Sequence, residues 1–162
     1  MLRSTNGYCV FFSVCFLCSS ALAEETKSES DQVQAGEYAK ATSGTRRFDF
    51  GPEADPVHVK VLVEESNLGS AGAEIIEIYF PPGYESRSHF HELEILYVVE
   101  GELEHIVDGE SDFLKPGMIG IVRYPNEVIH KAHEEYGAKV LVVWPLGNEL
   151  KGFDGLTSTP IE

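Results

Sequence analysis

Residues Gly83–Gly101 read GYESRSHFHELEILYVVEG, and the fold turns on how this stretch is laid out. His89 and His91 stand at i and i+2. In an extended chain alternate residues face the same side, so both imidazoles look into one space. Glu94 follows three residues after His91, inside an apolar run that ends at Gly101. That odd spacing points Glu94 away from His91 in a regular strand, so a bulge or tight turn is needed to swing it inward. Glu92 shares the facing of the two histidines and is the alternative carboxylate. On a later run, alternation puts Val128, His130 and Ala132 on one face and Ile129, Lys131 and His133 on the other. Three imidazoles and a carboxylate suit one borderline divalent ion, Fe, Mn, Ni, Cu or Zn, and not calcium.

Working outward, the chain from Arg46 onward is a series of short β-type runs: Val57–Val63, Glu74–Phe80, Leu93–Glu100, Leu103–Val107, Met118–Tyr124, Val128–His133 and Lys139–Trp144. Turn residues separate them, including Pro81-Pro82-Gly83, Pro116-Gly117 and Pro125-Asn126. Asp108-Gly109 between two runs is a strong hairpin signal. No stretch holds a helical period for three turns and no repeat recurs at a fixed interval. The pattern predicts an all-β sandwich or barrel of antiparallel strands. Within it His105 alternates with Leu103 and Val107, so its ring faces inward. It is then either a buried, satisfied histidine or an acid/base or orienting partner beside the metal ligands. Tyr97 and Trp144 read as core or pocket wall, and His58 as a residue facing water.

The same residues resemble the cupin superfamily. Its first motif, G-x5-H-x-H-x3–4-E-x6-G, is met in order by Gly83, His89, His91, Glu94 and Gly101, with one residue fewer than usual between His91 and Glu94. Its second motif, G-x5-P-x-G-x2-H-x3-N, is looser. Pro125 and His130 keep their spacing, but Gly120 lies one residue too close to Pro125, and Glu127 and Glu134 replace Gly and Asn. Spacing from Pro125 favours His130 over His133. Lys115-Pro116-Gly117 is similar to the turn that opens this motif in many cupins. The resemblance implies a small jelly-roll barrel of six to eight strands. It also implies one divalent metal held by His89, His91, Glu94 and His130, with coordination positions left open for a ligand, and a homodimer.

The ends of the chain bear on where it works. Arg3, the apolar run Tyr8–Cys18 and Ala21-Leu22-Ala23 form a secretory signal pattern with cleavage after Ala23, so the protein is expected to be exported, periplasmic or extracellular. The run is short for a bilayer span, and no stable membrane insertion is expected once it is removed. All three cysteines, Cys9, Cys15 and Cys18, lie in that segment, which excludes disulfides and thiol chemistry from the mature chain. Residues 24–45, rich in Glu, Ser and Gln, read as a disordered or loosely attached lead-in. Residues 46–145 form the barrel. Residues 146–162 form a C-terminal tail that covers a barrel end or edge strand, or hangs loose. A net charge of −15 disfavours nucleic acid. No Ser-His-Asp arrangement or phosphate loop occurs. The expected function is that of a metal-dependent enzyme of dioxygenase, isomerase or lyase type acting on a small oxygenated or carboxylate compound. The alternative is a non-catalytic module that binds or senses a small molecule or metal.

Overall fold

The structure, a computed structural model, describes residues 41–161; residues 1–23, read as a signal segment, and residues 24–40 of the lead-in lie outside them. The described chain carries eleven strands. They are β1 (Arg46–Phe50), β2 (Val57–Val63), β3 (Glu74–Phe80), β4 (His89–Phe90), β5 (Leu93–Gly101), β6 (Leu103–Val107), β7 (Glu110–Leu114), β8 (Ile119–Arg123), β9 (Glu127–Ala132), β10 (Ala138–Trp144) and β11 (Thr159–Pro160). One short helix, α1 (Glu65–Leu68), follows β2, and a 3-10 helix spans Glu149–Phe153. No helix among the described residues is long and apolar enough to cross a membrane.

The strands form two antiparallel sheets. Seven run in the order β11-β1-β2-β3-β10-β5-β8 and four in the order β4-β9-β6-β7. Alternation decides which side chains lie between them. Val57, Val59 and Val61 of β2, Leu96 and Val98 of β5, and Val140, Val142 and Trp144 of β10 are buried, while their neighbours are more exposed. Leu103 and Leu114 close the core from the four-stranded side. This is the all-β architecture that the apolar runs predict.

Two turns shape the ends of the sheets. Asp108 and Gly109 both take positive φ, 51° and 85°, as a two-residue type I′ hairpin between β6 and β7 requires. The turn explains why β7 forms although four of its five residues are exposed and its sequence shows no alternation. Gly101 sits where the chain leaves β5 for the other sheet, at φ 78°. A Cβ there would stand 2.1 Å from the Gly137 carbonyl oxygen, so only glycine fits.

The C-terminal segment, which the sequence left free to cover an end or to hang loose, covers one. Leu150 is buried, Phe153 packs on Phe48 with ring centroids 5.2 Å apart, and β11 pairs with β1. Thr45, at the end of the lead-in, is held by hydrogen bonds to Val61 and Ile161.

Candidate functional site

Residues Tyr84–Phe90 run beside β9. Ala132 donates to the Tyr84 carbonyl, Ser86 to the His130 carbonyl, and the His130 amide to Ser86 Oγ. This lacing sets His89 opposite Val128 and turns His130 to the same interior, as its buried alternation with Val128 and Ala132 requires. Cross-strand register then sets His105 of β6 directly opposite His130, with the two rings stacked 5.4 Å apart. Gly120 of β8 leaves room for the His105 ring, since a Cβ there would come within 3.1 Å of it.

Glu94 reaches the same space by a different route. β4 belongs to the four-stranded sheet and β5 to the seven-stranded sheet, and the chain bends at Glu92 between them. Crossing from one sheet to the one facing it resets the alternation, so Glu94 points inward beside Leu96 and Val98 while Glu92 is exposed. His133 lies outside the cluster, stacked on Tyr136. Tyr97 faces outward, whereas Trp144 is buried in the cluster. His58, half-exposed, is hydrogen-bonded to Asp49.

The structure therefore brings His89, His91, Glu94, His105 and His130 together. His89 and His91 are in edge contact with centroids 4.8 Å apart, and His89 and His130 lie 5.3 Å apart. His91 Nε2 is 3.1 Å from Glu94 Oε2, and His130 Nε2 is 3.1 Å from Glu94 Oε1. Donor atoms of Glu94, His105 and His130 all lie within 4.8 Å of one another. Among the described residues, His91 Nε2, Glu94 Oε1, His105 Nε2 and His130 Nε2 are buried with no hydrogen-bond partner.

Unpartnered buried polar atoms are costly, and four aimed into one space call for something that satisfies them together. Two atoms each roughly 2.1 Å from one ion and 90–110° apart stand about 3.0–3.4 Å from each other. The 3.1 Å separations fit that spacing.

The outer nitrogens are arranged to match. His89 Nδ1 donates to the Arg87 carbonyl at 2.8 Å and His91 Nδ1 donates to Glu149 Oε2 at 3.3 Å, so Nε2 of each carries the lone pair, and that of His91 faces Glu94. Glu149 also accepts the Glu92 amide at 2.9 Å, and Trp144 Nε1 donates to Glu94 Oε2 at 3.1 Å.

Protonation follows the same logic. Burial would raise the Glu94 carboxyl, but His130, His91 and the Trp144 indole outweigh it and hold the group at about 2. Burial, reinforced by His130, pushes His105 down to about 4. Burial also lowers His89, against the opposing pull of the Arg87 carbonyl. At neutral pH Glu94 is an ionised carboxylate and His105 is uncharged, the forms in which such groups bind a cation.

A cavity of about 490 Å³ opens onto the cluster; Tyr84, Ser86 and Glu149 line it together with an apolar wall. Glu149 carried no signal in the sequence. It sits in a Gly- and Pro-containing segment without alternation, 57 residues from the amide it accepts.

No family model matches the chain, and no curated protein matches it. Solved structures do. An RmlC-like cupin from Shewanella frigidimarina superposes with a TM-score of 0.56 at 21% identity, covering 70% of this chain and 94% of that one. A predicted oxalate decarboxylase from Thermotoga maritima gives 0.55 at 18% identity, covering 66% and 97%. KdgF from a Halomonas species gives 0.53 at 21%, covering 64% and 89%. At this identity the likeness establishes the fold, the cupin jelly roll.

Proposed function

Starting from a cupin jelly roll with a cluster of inward-facing histidines, we propose that this protein is an exported, metal-dependent enzyme acting on a small oxygenated compound. The observation that carries the reading is the close group of Glu94, His105 and His130, with donor atoms within 4.8 Å of one another, beside four buried atoms, on His91, Glu94, His105 and His130, that lack hydrogen-bond partners. Glu94 and His130 would hold one divalent transition ion, Fe, Mn, Ni, Cu or Zn, with His89, His91 and His105 around them supplying the remaining imidazoles. A bound ion of this kind supplies Lewis-acid polarisation of substrate oxygens and, where redox-active, a site for dioxygen.

The protein's own groups do the rest. The Arg87 carbonyl and Glu149 carboxylate fix the tautomers of His89 and His91, the Trp144 indole fixes Glu94, and the cavity wall keeps water from a bound ligand. His105, uncharged at pH 7, is a hydrogen-bonding partner beside the cluster. Export rests on the Arg3, Tyr8–Cys18 and Ala21–Ala23 pattern. A homodimer is supported by β8, an edge strand that exposes Ile119 and Ile121 next to exposed Tyr97.

Metal analysis of the purified mature protein tests the reading. About one equivalent of transition metal is expected, lost in a His91→Ala, His130→Ala double variant. Less than about a tenth of an equivalent, with no uptake on reconstitution, overturns it.

A further inference from the structure

The walls of the cavity are as specific as its cluster. Phe50, Val57, Val59, Ile78, Phe80 and Phe153 line it, drawn from β1, β2, β3 and the 3-10 helix. The histidines and Glu94 enter from β4, β5, β9 and the bend between β4 and β5. One part of the cavity is therefore hydrocarbon and the other carries the donor atoms. Its volume, about 490 Å³, leaves room for a compact organic molecule well beyond the size of a two-carbon acid.

Charge points the same way. Among the described residues no lysine or arginine lines the cavity. Arg87 lines an adjoining outer groove and is exposed to solvent. Glu94 and Glu149 both line the cavity, and together they cancel the charge of a divalent ion. A dianion entering it would shed its hydration and meet no surplus positive charge, in a chain of net charge −15.

We propose that this cavity takes a substrate with a hydrophobic body, aromatic or branched aliphatic, carrying a pair of neutral or monoanionic oxygens at one end, and that it rejects small dianions such as dicarboxylates and sugar phosphates. The proposal rests on the metal-centre reading for the oxygen end and on the apolar wall for the body. It narrows the small oxygenated or carboxylate compound that the sequence led us to expect.

Calorimetric titration of the metal-loaded full mature chain separates the two ends of the ligand. Acetylacetone and benzoylacetone present the same pair of oxygens and differ in the phenyl body, whereas oxalate and glucose 6-phosphate are dianions. Benzoylacetone is expected to bind at least about thirtyfold more tightly than acetylacetone, because a buried ring removes substantial apolar surface from water. Neither dianion should bind as tightly as benzoylacetone. Its binding should quench Trp144, the only tryptophan, which lines the cavity.

Phe153→Ala should lose about tenfold for benzoylacetone and leave acetylacetone unchanged. If that variant fails to fold, Phe50→Ala replaces it. Equal affinity for the two diones, or tighter binding of oxalate with the metal retained, overturns the inference while leaving the metal centre intact. If the protein takes up no metal, the metal reading falls and phenol becomes the probe on the metal-free protein. Saturable phenol binding without oxalate binding then sustains the apolar cavity, and its absence overturns it.

Discussion

Replacing Glu149 by glutamine probes the link between the C-terminal segment and the histidine cluster. One oxygen of Glu149 accepts the Glu92 amide at 2.9 Å, and the other accepts His91 Nδ1–H at 3.3 Å. Glutamine has a single carbonyl, which the Glu92 amide claims because that bond is the shorter. The amide nitrogen is then left facing His91. Nδ1 must now accept, which moves the ring proton to Nε2, 3.1 Å from Glu94 Oε2 and in the space where a lone pair is needed. Changes to such orienting partners lower metal affinity by about 10–100-fold, or about 1.4–2.7 kcal/mol. The 3.3 Å contact is long, so the lower half of that range is expected. Glu149→Ala removes both bonds and should also cost about 1 kcal/mol of stability. Chelator-competition titration at pH 7 reads the affinity, and urea denaturation of the metal-free variants reads the stability. Glu149→Gln with affinity within twofold of the wild type refutes the assigned tautomer and with it the orienting role of Glu149.

Three further outcomes follow from the geometry. In metal-stripped protein His105 titrates at about 4 when folded and near 6.5 when unfolded. The unfolded chain thus takes its proton first, and stability should fall by about 3 kcal/mol between pH 7 and pH 4. Glu94, held at about 2 when folded, adds a further loss as pH falls below about 4.5. A urea midpoint that is flat from pH 7 to pH 4 contradicts both. Gly101→Ala forces a Cβ toward the Gly137 carbonyl at a positive φ and should cost about 3 kcal/mol or more; an unchanged melting temperature would show that the turn from β5 to β6 is built otherwise. Trp144→Phe removes the donor to Glu94 Oε2 and should destabilise the metal-free fold by about 1–3 kcal/mol, read by denaturant titration. A neutral effect would mean that the indole does not hold Glu94.

Much of the fold and part of the cluster were open to reading along the chain. Alternating valines in β2 and β10 declare buried strands, Asp108-Gly109 declares its turn, and parity alone turns His130 inward and His133 away. These are local properties: within one strand every second residue faces the same way, and that period is written in the sequence. The strands without the period, β7 and β11, were not legible, because they exist through pairing with a partner and not through burial of one face.

The choice of Glu94 over Glu92 was decided by tertiary structure. Parity assigns Glu92 to the histidines, yet the chain changes sheets at the bend between Phe90 and Leu93, and facing in the second sheet is set by pairing with β8 and β10. Glu149, the apolar wall from β1 to β3 and the register that sets His105 against His130 are likewise contacts between segments far apart in the chain. The sequence determined which way side chains face along each strand. Only the assembled sheets decided which strands face each other, because hydrogen bonds and packing between distant segments choose that partner and no local period records it.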